Sequence, residues 1–389
     1  MRRWLCIIIM IAFLVASLGC GGDQKGKKGK ELKEPDMSIL TKEERNLVAS
    51  IRRLRVQVKE SIRKGAQWLR GKCNDDGSYP GGLGVTSLAM MALMKQPSFK
   101  DGFIPRYISD SAEYIARNLN LSAPIRGKTG LWGDVAQKAM AILALIRLND
   151  PRYSDLVRGG LKFLIQAQMD EGEGISPNDP NYGGFGDIYA TIFALMAMRE
   201  GKIAPDDPVW NKAAKFLERC QYYDEVNDQP WASVNSGGFI TSPSTSLAGV
   251  DDRNRPIPYG SATYAGLLGY LYCGFKPYDM PVRAAFKWVM DNLSFDSNPG
   301  LGYKEVGPYY YFMSKSLKSL GNFTVLDSHG VQHRWFNELF SKLKSLQSQD
   351  GFWRFESPIS DTAFALLALE EGYPRGYPIP GLEFRIKGR

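Results

Sequence analysis

The sequence is poor in the residues and motifs on which many catalytic and metal sites depend. It holds 2 histidines and 5 cysteines among 389 residues, and no two cysteines have the C-x-x-C spacing of zinc or redox sites. The strings G-x-S-x-G and H-E-x-x-H, the phosphate-binding P-loop and the dinucleotide-binding glycine motif are absent. These absences exclude a disulfide framework and the enzyme classes that such motifs define.

A basic surplus is missing from most of the chain. Residues 1–64 contain 15 Lys and Arg against 7 Asp and Glu, and this surplus of 8 equals the net charge of the whole chain. A nucleic-acid-binding protein is expected to carry its basic residues on the folded domain. The charge distribution therefore predicts no nucleic-acid partner.

The first 20 residues have the pattern of an export signal. Two arginines precede an apolar run over residues 4–18, which is short for a membrane span. The run ends at Leu18-Gly19-Cys20, which resembles a bacterial lipobox and implies that Cys20 is lipidated and anchors the protein to a membrane of the cell envelope. Because Ser17 departs from the lipobox pattern, ordinary secretion and an uncleaved anchor stay open as alternatives.

The remaining chain divides by composition. Residues 21–40 form a Gly/Lys-rich tether that we expect to be disordered. Residues 41–60 start with a T-x-x-E capping box and predict an amphipathic helix. A repeat region follows over residues 61–376, and residues 377–389 form a tail. No proline- or serine-rich linker interrupts the repeats, which favours one closed domain.

A repeat of about 50 residues recurs six times in the repeat region. Each copy has a helix with one apolar face, a glycine-rich break, and a second helix that is apolar nearly all round. Six such hairpins predict an all-α ring with the second helices buried inside. One longer step places an insertion at residues 222–258, which either covers a cavity mouth as a lid or decorates the rim.

Two copies of the repeat resemble a known superfamily. Gln347–Trp353 (QSQDGFW) followed by Asp361–Leu369 (DTAFALLAL), and Tyr259–Leu267 (YGSATYAGL), are similar to the repeat of squalene-hopene cyclases and protein prenyltransferase β subunits. The resemblance implies an (α/α)6 toroid whose inner helices surround a central cavity for isoprenoid or other apolar chains.

The catalytic motifs of that superfamily are missing. There is no D-x-D-D string to protonate an alkene, and no Asp, Cys and His set for zinc in the corresponding stretches. Neither activity carries over residue by residue, so no cofactor is predicted and catalysis stays open, because fold does not fix function.

Three aspartates are the candidate acids. Asp134, Asp187 and Asp361 each directly precede a predicted inner helix, and such helix starts would cluster at one mouth of a ring. Burial there would raise a carboxyl pKa and yield a general acid, with Asp361 as the first choice. The alternative is that each aspartate only caps its helix.

A set of aromatic residues near those helix starts could line a ligand pocket or stabilise a carbocation. Packing between helices explains any one of them equally well. The candidates are Tyr182, Phe185, Tyr189, Tyr259, Tyr264, Tyr309, Tyr310 and Trp353.

The two histidines, His329 and His333, stand four residues apart, just after Asp327. On a helix, both imidazoles would share one face and could bind zinc together with Asp327. The alternative is that Asp327 or Ser328 caps a helix and the histidines bond locally. We adopt this alternative and predict no metal site.

Three functions remain open. The first is an envelope toroid that binds an isoprenoid or another apolar small molecule, and the second is an atypical terpenoid cyclase or prenyl transferase. The third is a scaffold or a carbohydrate-active (α/α)6 barrel, which would need paired carboxylates across its cavity. A narrow aromatic cavity would favour the first two functions. A wide cleft with facing acids would favour the carbohydrate-active barrel, and a filled centre would favour a scaffold. The oligomeric state is not predicted.

Overall fold

The computed structural model describes residues 37–95, 103–122, 132–168, 184 and 186–373. The predictions for residues 1–20 with Cys20, for residues 377–389, and for Tyr182 and Phe185 lie outside these residues. The chain divides into a unit that includes the described residues up to Arg53 and a large unit from Leu54 to Tyr373.

The two predicted boundaries near the amino terminus differ from the structure. Residues 37–39, placed in the predicted tether, form a 3-10 helix, and Leu40 and Val48 make a small apolar cluster in the first unit. The predicted boundary between residues 60 and 61 falls inside one uninterrupted helix, because the apolar stripe of this segment continues across it.

Twelve α-helices alternate along the described residues between an outer and an inner layer. The outer helices are α1 (Lys42–Arg70), α3 (Arg106–Asn118), α5 (Ser154–Ala167), α7 (Pro208–Cys220), α9 (Met280–Asp291) and α11 (Trp335–Leu346). The inner helices are α2 (Leu83–Met94), α4 (Asp134–Leu148), α6 (Ile188–Glu200), α8 (Gly260–Tyr272), α10 (Val306–Ser319) and α12 (Pro358–Gly372). The remaining elements are the 3-10 helices Pro151–Tyr153 and Pro230–Val234 and the strands β1 (Val325–Leu326) and β2 (Gln332–His333).

The two layers differ as the apolar patterns predict. Every residue of α2 is buried, whereas α3 buries only Ile108, Ser111, Ala112 and Ile115, which recur at helical spacing. The inner helices are short, and among the described residues no helix is both long and apolar enough to cross a membrane.

The inner helices form a closed ring. Each packs against the inner helix before it and after it, and α12 packs against α2. The outer helices α3, α5, α7, α9 and α11 each pack on an inner helix. The predicted all-α toroid of six helical hairpins, (α/α)6, is therefore confirmed.

Glycine in the breaks permits a close approach between neighbouring hairpins. Gly77 and Gly237 have positive φ, and a Cβ at either position would stand 2.1 and 2.2 Å from the carbonyl oxygens of Asp110 and Ala284. These carbonyls belong to the outer helices α3 and α9. These two glycines thus let their breaks rest directly on the backbone of the next outer helix.

Aromatic side chains fill part of the ring axis. Phe312 of α10 lies 6.0 Å from Phe193 and 6.2 Å from Tyr189 of α6, measured between ring centroids. Tyr311, next to Phe312, lies 6.0 Å from Phe364 of α12. Because α8 stands between α6 and α10 in the ring, the contacts of Phe312 cross the interior. At this level the predicted central cavity is occupied by the protein's own side chains.

Candidate functional site

The first turns of α6, α8, α10 and α12 meet on one side of the ring, which we call the start face. The Tyr189 hydroxyl lies 3.0 Å from the Ser261 hydroxyl, which accepts a hydrogen bond from the Asn298 amide at 2.9 Å. The backbone N–H of Glu305 donates to Glu356 Oε1 at 3.3 Å. The Asn298 amide also donates to the Lys304 carbonyl at 3.1 Å and so connects the starts of α6 and α8 with those of α10 and α12.

Glu305 is the most unusual residue of the start face. It precedes α10 with φ 53°, a left-handed conformation that non-glycine residues rarely adopt. Its Oε2 atom is buried and has no hydrogen-bond partner among the described residues. Burial raises the pKa of Glu305 to about 7; the Tyr189 hydroxyl opposes this shift, and the charges of Glu356 and Asp187 add to it. The carboxyl group is therefore partly neutral at physiological pH.

Sequence reasoning missed Glu305 because it considered only aspartates. The usable signal was positional, since Glu305 immediately precedes an inner helix, as Asp187 does. An acidic residue at the same place in two repeats, next to a Tyr-rich helix in the second case, would have identified it.

Asp187 acts as a helix cap. Its Oδ1 atom accepts hydrogen bonds from the backbone N–H groups of Tyr189 and Ala190 at 2.8 and 2.9 Å. This is the ordinary N-cap arrangement, so the carboxylate stabilises α6 while contributing negative charge near Glu305.

Asp361 lies inside α12 rather than before it, because the helix begins at Pro358. Its Oδ2 atom accepts from the backbone N–H groups of Phe355 and Glu356, both at 2.7 Å. Burial raises the pKa of Asp361 to about 6, against those backbone hydrogen bonds. The carboxyl group holds the loop that enters α12, and its bonded oxygen is not open to a ligand.

Asp134 is the first residue of α4 and forms an ion pair with Lys138 one turn later at 3.0 Å. The Lys138 side chain is buried, and its ammonium group also lies over the Phe163 ring. The contact between Lys138 and Phe163 links α4 to the outer helix α5.

The described aromatic candidates separate into two groups. Three of them bond to backbone carbonyls at or beyond the ends of outer helices: Tyr309 to Ser294, Tyr310 to Phe295 and Trp353 to Leu343, each at 2.7 Å. They pack between the layers, as does Tyr264, whose ring lies 5.6 Å from that of Tyr309. Tyr189 and Tyr259 instead place their hydroxyl groups at the start face.

The insertion at residues 222–258 reaches the start face through Thr241. The Thr241 carbonyl accepts from the N–H of Ile188 at 2.9 Å, and its hydroxyl lies 2.8 Å from that of Tyr259. The Arg255–Asp251 ion pair at 2.6 Å and the hydrogen bond from Tyr222 to the Pro256 carbonyl fold the insertion on itself. It lies against the first turn of α6 and the residue that precedes α8.

The histidine segment is a hairpin and not a helix. His333 lies in β2, with its ring nitrogens 3.3 Å from Asp327 and 2.8 Å from Glu338. Asp327 Oδ1 accepts from the N–H groups of His329 and Val331 and so closes the turn. In the part of the chain that the structure describes, no group of three or more His, Cys, Asp or Glu residues could hold a metal ion.

The architecture of this chain is similar to that of a solved structure. A type II terpene cyclase, MstE from Scytonema, solved as an aspartate-to-alanine variant with its product merosterolic acid A, aligns with TM-score 0.50 at 14% identity and covers 83% of this chain and 99% of that one. The chain has a terpenoid-cyclase-like toroid fold. A second MstE structure, with the substrate geranylgeranyl dihydroxybenzoate, aligns over the same shares at 13% identity with TM-score 0.35. No family model and no curated protein matches the sequence.

Glu305 should make the stability of the toroid fall as pH rises. Its folded-state pKa is about 7 against an ordinary value of 4.5, so the folded protein binds the proton more tightly than the unfolded chain. The contribution is complete below about pH 4.5 and is lost as pH rises through about 7, by roughly 2–3 kcal/mol. Urea titrations between pH 5 and 8 should show this decline in the wild type and not in Glu305→Gln.

Asp350→Asn is the control for this measurement, since Asp350 is an exposed carboxylate in the break between α11 and α12. Most of the decline should remain in that variant. An unchanged decline in Glu305→Gln would assign the pH dependence to other groups, Asp361 first among them.

Proposed function

We propose that the toroid binds an isoprenoid-derived ligand with a polar oxygen atom, and that this atom docks at the start face beside Glu305. The observation that carries the proposal is the buried Glu305 Oε2 atom, which has no partner among the described residues. Leaving such an oxygen unpaired costs about 1–3 kcal/mol. A hydroxyl or carboxyl group of a ligand could remove that cost.

The type of ligand is inferred from the fold and from the surroundings of Glu305. MstE holds a merosterolic acid product in the same type of fold. Here the Tyr189 and Tyr259 rings, both fully buried, stand next to the carboxyl group. Aromatic rings provide an apolar wall, while their hydroxyl groups fix the orientation of a polar end.

The protonation state of Glu305 determines how it could act on a ligand oxygen. A neutral carboxyl group donates a hydrogen bond to a ligand oxygen, and with a pKa near 7 it can also transfer its proton close to physiological pH. An atypical terpenoid cyclase or transferase would use Glu305 as its general acid, and a binding protein would use the same group only as a donor.

The experiment is lipid extraction followed by a binding titration. The full chain, purified from a bacterial host, is extracted with organic solvent for mass spectrometry and titrated with farnesol and farnesoic acid at pH 5.5 and 8.5. Wild-type affinity for farnesoic acid, whose carboxylate only accepts hydrogen bonds, should fall by about tenfold at the higher pH, because the ionised Glu305 carboxylate no longer donates. Farnesol can donate its hydroxyl proton to that carboxylate and should bind with little pH dependence. In Glu305→Gln the affinity should not depend on pH, since the amide keeps an N–H donor.

A clean extract together with no saturable binding at either pH would reject the proposal. Asp350→Asn again serves as the control and should retain the pH dependence. If the wild type turned over a ligand and Glu305→Gln bound it without turnover, the protein would be an enzyme that uses Glu305. Binding without turnover in the wild type would show that the protein is a carrier.

A scaffold is the second candidate, because the rings of Phe193, Phe312 and Phe364 lie at 0–1% exposure in the interior. A filled axis needs no ligand for stability. If the folded protein yielded a clean organic extract and bound neither probe, the scaffold would be the remaining candidate.

Export and lipid anchoring complete the proposed function. The sequence around Cys20 supports attachment to the cell envelope. Membrane fractionation of cells that express the full chain or Cys20→Ala tests this part separately: the variant should leave the membrane fraction.

A further inference from the structure

The opposite side of the ring carries a charged cavity, which we call the end pocket. It has a volume of about 290 Å³ and lies where the last turns of five inner helices, α2, α4, α6, α10 and α12, come together. Its lining residues are Met91, Met94, Lys95, Arg147, Glu200, Lys315 and Glu371.

Glu371 is the first ion-pair centre of the end pocket. Its carboxylate lies 2.7 Å from Lys95, 3.3 Å from Lys315 and 3.2 Å from Lys318, measured to the ammonium nitrogens. The Glu371 side chain is only 8% exposed. One buried carboxylate is therefore the counter-charge of three lysines.

Arg147 and Glu200 form the second centre. The guanidinium Nε and Nη2 atoms donate to the two carboxylate oxygens at 2.9 and 2.6 Å. The Nη1 atom points to the Met91 sulfur at 3.4 Å, which is a weak acceptor. This side of the guanidinium has donor capacity that no oxygen uses among the described residues.

Positive charge exceeds negative charge in the end pocket. Among the lining residues, three cations (Lys95, Arg147 and Lys315) face two carboxylates, which leaves a formal surplus of one. Lys318 does not line the pocket, but it pairs with Glu371 and raises the surplus around the pocket to two. The partial negative charges of the five helix ends favour cations there. Among the described residues, however, Lys95 and Lys315 donate only to Glu371, although each ammonium group has three N–H donors.

We propose that the end pocket binds a phosphate monoester. A phosphate monoester carries about 1.5–2 negative charges at neutral pH and three acceptor oxygens, which match the surplus charge and the unused donors of Lys95, Arg147 and Lys315. The volume exceeds the need of a phosphate group, and Met91 and Met94 provide an apolar wall for the attached carbon group. The inference does not depend on Glu305, which lies at the other end of the inner helices.

The test is calorimetric titration of the full chain with three probes at constant ionic strength: inorganic phosphate, glycerol 3-phosphate and hexyl phosphate. All three should bind saturably, and hexyl phosphate most tightly if Met91 and Met94 contact the organic group. If the natural ligand is a soluble ester, glycerol 3-phosphate should instead be the probe that binds most tightly. Either order supports a phosphate site and distinguishes a lipid-like source from a soluble one.

Two variants and one control locate the site. Lys95→Gln removes a partly exposed cation at the edge of the pocket, and Arg147→Lys keeps the charge but removes the forked donor; each should weaken phosphate binding about 10–100-fold, the range for charge-assisted hydrogen bonds. Lys215→Gln removes an exposed lysine of an ion pair on α7 and should bind as the wild type does. Circular dichroism confirms that each variant is folded.

Absence of saturable binding for all three probes would overturn the proposal. It would also be overturned if Lys215→Gln weakened binding as much as Lys95→Gln, because the attraction would then be general and not local. Sulfate and chloride at the same ionic strength should not displace hexyl phosphate completely.

Discussion

Replacing Glu371 by glutamine is expected to lower the free energy of unfolding by about 3–5 kcal/mol, because it leaves buried lysines without their counter-charge. Burial opposes ionisation of Glu371, but the charges of Lys315, Lys95 and Lys318 outweigh it and hold the pKa well below its usual range. The stabilisation by Glu371 is therefore present above about pH 4.5 and is lost as pH falls. Urea denaturation at pH 7 measures the effect.

Two controls define this prediction. Glu60→Gln removes an exposed carboxylate paired with Arg63 and should change stability by less than about 1 kcal/mol. The double variant Lys95→Gln/Glu371→Gln should recover part of the loss, since one unpaired cation is removed as well. If Glu371→Gln behaved like Glu60→Gln, the lysines would have to be compensated by another group.

Replacing Phe312 by alanine is expected to cost about 3–5 kcal/mol, the range for deleting a buried aromatic side chain. Phe312 is 0% exposed and contacts the rings of Tyr189, Phe193 and Tyr311. Its removal leaves a cavity on the ring axis, where helices on several sides hold the walls apart and limit collapse. Denaturant unfolding followed by circular dichroism measures the loss.

Phe323→Ala is the matched control, because Phe323 is 59% exposed and its loss should change stability by about 0.5 kcal/mol at most. A loss below about 1 kcal/mol for Phe312→Ala would contradict a filled axis at this level. Such a result would move the proposed isoprenoid site from the start face to the centre of the toroid.

The helix order was predictable because it depends on local patterns. Residues 190–198 and 362–369 are apolar nearly all round the helix, while residues 106–118 are apolar on one side, and burial follows this difference. The glycines of the breaks were recognised as corners from sequence. Their contact with the carbonyls of Asp110 and Ala284 was not, because it joins residues distant along the chain.

The candidate site was less predictable. Acidic residues near helix starts were recognised from the sequence. The sequence could not show, however, that Asp361 Oδ2 already accepts hydrogen bonds while Glu305 Oε2 has no partner among the described residues. That difference depends on whether nearby backbone N–H groups point at the oxygen. The hairpin at His333 was missed for a related reason, since a four-residue spacing fits a helix and a short hairpin alike.

The sequence by itself determined the number of hairpins, their order and which helices are buried, because these follow from apolar periodicity and glycine placement along the chain. Only the tertiary structure decided the charges at the two ends of the ring. Parallel packing of the inner helices brings Glu305 into a poorly solvated acidic surface at their starts and gathers Lys95, Arg147, Lys315 and Glu371 at their ends. These residues lie far apart in the sequence, and their pKa values and unused donors arise from burial and from neighbours that only ring closure supplies.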